Sequence, residues 1–211
     1  MSAEPLQFGG SPHRLRGWLL FLLQETARVG MPPLSQDTLH LLLFYGAVLT
    51  PVHGLETPVP KILKYRDRPF YPEAQDELVC LIARGFVEAT TRRSIADDGW
   101  ESDRYSINEF GVNAAELLAA SRWGGETSRF VRDLVLSFAE LDPRHADDII
   151  GQDAVFRDDR LRLGQIARVE KENPAVQTAR LIADYEVDGI RPGAADSIAL
   201  YFNFLQARRA A

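Results

Sequence analysis

The spacing of apolar residues changes at Gly85, and this change limits the possible fold more than any other feature of the sequence. Before it, apolar residues in the segment 72–84 follow the spacing of a helix, and a glycine suits the left-handed end of that helix. After it, the segments 86–91 and 104–107 have the composition of two strands joined by a polar turn. Asn108 is then a favourable cap for another helix. The sequence therefore predicts a helix, a β-hairpin and a helix, in that order.

Two further helices are predicted upstream of this unit. Ser11-Pro12 is typical of a helix start, and Gly30 marks the predicted end of the first helix. Ser35 is a favourable cap for a second helix, Gln36 to Leu49. Its residues are apolar on almost every side, which predicts a fully buried helix.

Residues 51–72 connect these helices to the segment that precedes Gly85. Five prolines fall in this stretch and leave room for only a turn or two of helix around residues 61–64. Long irregular loops in compact domains are often functional. The resulting order of helix, helix, loop, helix, hairpin and helix is that of a winged helix. We therefore predict a winged-helix-like domain over residues 1–122.

The rest of the chain, residues 123–211, is predicted to be a helical C-terminal region. Apolar residues between positions 130 and 141 share one helical face, and Asn173-Pro174 predicts another helix start. The mixed-charge stretch 151–172 is interpreted as either a solvated helix or a mobile connector. The predicted fold class is mainly α with a small β-hairpin.

Composition excludes several classes of protein. The chain carries a formal net charge of -6, whereas proteins that wrap nucleic acid by bulk charge usually carry a basic excess. Its one cysteine, Cys80, cannot form an internal disulfide, which suits a reducing compartment. We interpret Cys80 as a small buried hydrophobe. No apolar run reaches the length of a membrane span or a signal peptide. We therefore expect a cytoplasmic protein without a membrane partner.

No pattern of residues points to catalysis. The histidines are scattered, and the nearest candidate for a metal-ligand cluster is Asp142, His145 and Asp148, which solvated polar residues near a helix start explain better. The sequence contains no phosphate-binding loop, dinucleotide fingerprint or nucleophile elbow. We expect no catalytic residues, no cofactor and no metal, and we expect a binding protein that is not an enzyme.

The helix that a winged helix would place in the DNA major groove is acidic here. Glu73, Asp76 and Glu77 lie in its first turns, where phosphate rows would repel carboxylates. Basic residues flank this helix instead, and together with one aromatic residue they could contact a DNA backbone or a partner protein. These candidate contacts are Lys61, Lys64, Arg66, Arg68, Tyr71, Arg92 and Arg93. Docking of a protein is at least as well supported as DNA contact, because aromatic residues and arginine are enriched in interfaces.

The segment 35–120 carries a family resemblance. Its buried helix, the sequence Arg68-Pro69-Phe70-Tyr71-Pro72 and the GFVEAT strand entry resemble the winged-helix middle components of bacterial ABC-three-component, Lamassu-like defence systems. The same stretch also resembles Panacea-type antitoxin domains. At the level of fold, it is similar to the kleisin-associated winged-helix subunits of bacterial condensins.

The first resemblance implies an accessory subunit without activity of its own. Such a subunit would bind an SMC- or ABC-type ATPase that supplies energy and an effector subunit that attacks the invading phage or plasmid. Two alternatives remain open at this point: a DNA-binding transcriptional regulator and an antitoxin-like module.

Overall fold

The structure, a computed structural model, describes residues 11–65, 68–93, 101–141, 149–157, 163–186 and 191–210. Within these ranges the chain is mainly helical and adds two small antiparallel sheets, which confirms the predicted class at this level. The helices are α1 (Pro12–Arg28), α2 (Gln36–Leu49), α3 (Pro72–Ala83), α4 (Glu109–Ala119), α5 (Arg122–Ala139), α6 (Pro174–Ala183) and α7 (Ala194–Ala210). The strands are β1 (Leu34–Ser35), β2 (Lys61–Tyr65), β3 (Arg68–Phe70), β4 (Val87–Arg93), β5 (Glu101–Ile107) and β6 (Ile166–Arg168).

Local signals explain most of the helix boundaries. The hydroxyl of Ser35 accepts the backbone N–H of Thr38, and α2 has the bounds expected from the sequence. The Asn108 side chain caps α4 in the same way by accepting the N–H of Gly111. Gly85 lies at a φ of 72°, the left-handed conformation that lets the chain leave α3. Short polar side chains at these positions satisfy backbone donors that the helices leave unpaired.

The first sheet has the strand order β1-β5-β4. Strands β4 and β5 pair over their full seven residues, from Val87 opposite Ile107 outward. The short strand β1 adds to the other edge of β5, with Leu34 opposite Tyr105. The β4–β5 hairpin of this sheet directly follows α3 in the chain, as the change of period at Gly85 predicts.

The second sheet corrects two predictions. Residues 61–65 form strand β2 and not a turn of helix, because the chain alternates a buried Ile62 with less buried neighbours and pairs on both sides. Its partners are β3 and the distant β6, in the order β3-β2-β6. The stretch 151–172 is therefore neither a solvated helix nor a mobile connector in its described part. Its Phe156 and Val169 are buried in the core.

The core forms around α1 and α2, whose residues are buried on nearly every side. Trp18 packs against α2 at Gly46, where a Cβ atom would lie 2.9 Å from the indole ring, so the absence of a side chain allows the close approach. Helices from beyond residue 123 join the same core, since Phe130 makes an edge contact with Trp18 and Phe202 makes one with Tyr45. The division after residue 122 remains a prediction, and residues on both of its sides share one hydrophobic cluster.

Two further observations bear on the expected properties. Cys80 is half-buried, so it is not the fully buried hydrophobe expected from its sequence neighbours. None of the helices in the described ranges combines the length and apolar content that crossing a membrane requires.

Candidate partner-binding surface

Helix α3 turns most of its polar residues towards the protein itself. Glu77 forms an ion pair with Arg16 of α1, and both side chains are mostly shielded from solvent. Gln75 donates to the hydroxyl of Tyr105 and accepts from the side-chain amide of Gln36, each at 3.2 Å. These contacts fix α3 between α1, the start of α2 and the first sheet.

The carboxylate of Glu73 is also drawn into the structure. Both of its oxygens are shielded from solvent, and neither forms a hydrogen bond with another residue in the ranges that the structure describes. Burial raises the pKa of Glu73, and the nearby positive charge of Lys61 lowers it in part. Glu73, Asp76 and Glu77 line a cavity of about 180 Å³ whose other walls are apolar.

The acidic composition of α3 suggests an acidic surface, but most of the residues that it exposes to solvent are apolar. Asp76, Val79 and Ala83 are spaced three and four residues apart, so they share one helical face, and all three are exposed. Val79 has 56% of its surface exposed. We call these three residues the α3 face. Its only charged side chain is the carboxylate of Asp76, and the exposed cation at this end of the helix is Arg84, its C-cap residue.

Three of the predicted basic contacts, Lys61, Lys64 and Arg68, have side chains among the described residues. Lys64 turns towards the body of the protein, where its ammonium lies 3.4 Å from the carbonyl oxygen of Phe156 and over the ring of that residue. Arg68 lies 3.8 Å from the carboxylate of Asp37. Lys61 sits at the end of β2 nearest to Glu73. Their side chains are already engaged with neighbouring groups.

Tyr71 was predicted as a surface contact, and this prediction is wrong. The residue is fully buried, and its ring stacks on His40 at a centroid distance of 6.1 Å. Its backbone N–H donates to Nδ1 of the same histidine at 3.3 Å. Its neighbours Phe70 and Pro72 do not reveal this burial in the sequence, because it results from packing against a helix thirty residues earlier.

The remaining candidate residues cannot be placed. Arg66 lies outside the described residues, and so do the side chains of Arg92 and Arg93 at the end of β4. The candidate metal ligands Asp142, His145 and Asp148 also lie outside them. In the ranges that are described, no three His, Cys, Asp or Glu side chains are grouped closely enough to hold a metal ion.

The second sheet brings together surface residues that sequence reasoning missed. Antiparallel pairing places Arg168 opposite Lys61 and Tyr65 opposite Arg68. Tyr65 and the neighbouring Ile166 remain 49% and 39% exposed. More than one hundred residues separate Lys61 from Arg168 in the sequence, and only the strand register could have joined them.

Comparison with known proteins adds no relationship to these observations. No protein-family model matches the chain, and no curated protein matches it. Function is therefore inferred from the surfaces described above.

Proposed function

We propose that the chain is a non-catalytic, winged-helix accessory subunit that acts in the cytoplasm by binding other proteins. In this proposal its partners are an SMC- or ABC-type ATPase and an effector subunit of a bacterial defence complex. The element order α1-β1-α2-α3-β4-β5, with the strand order β1-β5-β4, supports a winged helix. The connection between α2 and α3 departs from a compact winged helix, because it contains the β2–β3 hairpin.

The α3 face is the observation that carries the proposal. In a winged helix that reads DNA, this helix enters the major groove between two rows of phosphates. Here its solvent side presents a valine, an alanine and one aspartate, while Glu77 is held by Arg16. Phosphates would repel Asp76 and gain nothing from Val79. An apolar and weakly acidic surface of this kind suits the contact of another polypeptide.

Co-purification tests this proposal directly. A tagged chain would be expressed together with the genes that adjoin its own, and the recovered proteins would be quantified by mass spectrometry. We expect one neighbouring product to be recovered in stoichiometric amount. The substitution Val79→Lys should reduce that recovery about tenfold or more, because it buries a charge in the contact. The matched control Leu181→Lys, at a 73% exposed leucine of α6, should leave it unchanged.

The same variant separates the rival functions. A transcriptional regulator that reads DNA with α3 would bind DNA more tightly when Val79 is replaced by lysine, since the change adds a phosphate contact. A gain in salt-dependent DNA affinity would therefore favour the regulator and count against the adaptor. An antitoxin-like module would instead suppress the toxicity of a neighbouring gene product when the two are expressed together. Recovery of the unmodified chain alone would contradict the proposal.

A further inference from the structure

A cavity of about 500 Å³ lies between the 3-10 turn that follows α2, the end of α6 and the start of α7. Its size falls in the range of sites that hold small molecules. The side chains with polar chemistry in its lining are His53, Arg180, Asp184 and Ser197. They come from three elements that are distant in the sequence and meet only in the folded chain.

Arg180 is a half-buried cation in the wall of this cavity. In the part of the chain that the structure describes, no carboxylate lies within ion-pair distance of it, and no hydrogen bond engages its guanidinium. A guanidinium has five N–H donors in a fixed plane, and carboxylates and phosphates match this geometry with two parallel hydrogen bonds. An anion in the cavity would supply the missing acceptors.

His53 lines the cavity beside this cation. Its Nε2 atom is shielded from solvent and forms no hydrogen bond with the described residues. The ring is held against Phe130 at a centroid distance of 5.2 Å, which limits its rotation. Burial lowers the pKa of His53, so near pH 7 the ring forms a wall of the cavity that carries no charge.

The start of α7 borders the same space. Ser197 donates its backbone N–H to the carbonyl of Gly193 at 2.9 Å, which closes the first turn of a helix that runs for 17 residues. The positive end of the helix dipole favours negative charge here. The carboxylate of Asp184 opposes this field, but it is 76% exposed and lies 4.0 Å from the guanidinium of Arg191.

We propose that this cavity binds a small molecule that carries a carboxylate or a phosphate. The anion pairs with Arg180 beside the ring of His53, while Asp184 can accept from a hydroxyl or amino group of the same ligand. Bound in this position, the ligand contacts α6, α7 and the turn that follows α2 at the same time. The site is separate from the α3 face, and the proposal stands or falls independently of the adaptor function.

Titration calorimetry on the full chain tests the proposal with four probes: inorganic phosphate, adenosine 5′-monophosphate, succinate and citrate. We expect at least one of them to bind with a stoichiometry of one and to raise the melting temperature. The substitution Arg180→Gln should weaken that binding about tenfold or more. The control Arg122→Gln removes a 94% exposed guanidinium that pairs with Glu126 on its own helix, and it should leave the affinity unchanged.

A second variant guards against loss of binding through unfolding. Ala194 is exposed and lines the cavity, so Ala194→Trp should fold normally and narrow the space, which weakens binding as Arg180→Gln does. Phosphate probes that bind alone identify a phosphate ligand, and carboxylates that bind alone identify an organic acid. Binding of no probe by the unmodified chain overturns the proposal. Binding that survives both Arg180→Gln and Ala194→Trp also overturns it, because the anion then lies elsewhere.

Discussion

Two buried ionisable groups, Asp153 and His40, should change the free energy of unfolding in opposite directions as pH rises. Asp153 is fully buried; it accepts hydrogen bonds from the Tyr201 hydroxyl at 2.6 Å and the Val155 N–H at 2.9 Å. Burial nevertheless raises the pKa of Asp153 from 3.8 to about 6. His40 is 1% exposed, and burial lowers its pKa from 6.5 to about 4.

The sign of each contribution follows from these pKa values. Protonated Asp153 is favoured in the folded state, so its contribution is complete below its unfolded pKa and is lost as pH rises through about 6. Neutral His40 is favoured in the folded state, so its contribution is complete above its unfolded pKa and is lost as pH falls through about 4. Between pH 4.5 and 6.5, the first costs about 2 kcal/mol of stability and the second adds about 2 kcal/mol. The two nearly cancel in the unmodified protein.

Single substitutions should expose each contribution. As pH increases from 4.5 to 6.5, the change in the free energy of unfolding should be about 2 kcal/mol more positive in Asp153→Asn than in the unmodified protein. In His40→Asn, whose amide oxygen can replace Nδ1 as the acceptor for the Tyr71 N–H, it should fall by a similar amount over the same interval. In the double variant, stability should depend on pH nearly as it does in the unmodified protein, because the two contributions nearly cancel there.

Urea denaturation at pH 4.5, 5.5 and 6.5, at constant ionic strength, measures these slopes. Absolute stabilities will differ among the variants, so only the change with pH is compared. Glu172→Gln, at an exposed carboxylate, serves as the control and should follow the unmodified protein. If Asp153→Asn retains the pH dependence of the unmodified chain, the reasoning about the buried carboxylate is wrong.

Two further predictions concern packing. Gly111→Ala should lower the free energy of unfolding in urea by about 1–3 kcal/mol, because its Cβ would lie 2.2 Å from the carbonyl oxygen that precedes β4. In the control Gly151→Ala, the added Cβ meets no atom within 4 Å, so the stability should change little. Equal effects of the two substitutions would contradict this packing. Glu77→Gln should lower the urea midpoint more than Glu126→Gln does. The first substitution leaves the shielded guanidinium of Arg16 without its counter-ion, whereas the second removes an exposed carboxylate. The reverse order would show that the pair with Arg16 contributes nothing.

The features that the sequence predicted well are those that depend on neighbouring residues. Ser35 and Asn108 cap helices through donors only three residues away, and Gly85 ends α3 through its own backbone conformation. The strand-like composition of segments 86–91 and 104–107 marks a hairpin whose two strands adjoin in the chain. Each of these signals is complete within a short window of sequence.

The features that the sequence did not predict depend on contacts between distant residues. Strand β2 needs β6, so a segment of lysines and prolines was assigned to a helical turn. Tyr71 was expected on the surface because it follows the basic residues of the loop, yet the ring of His40 covers it. The cavity beside Arg180 is built from three separate elements. No local pattern of residues marks these contacts.

A photo-reactive amino acid placed at Val79 would test most directly whether the α3 face binds a protein. The modified chain would be irradiated in cells that express its neighbouring genes, and the adducts would be analysed for protein and for DNA. We predict a protein adduct formed at position 79 and absent when the same group is placed at Leu181. Adducts with DNA at position 79, or equal protein adducts at both positions, would contradict the proposed accessory function.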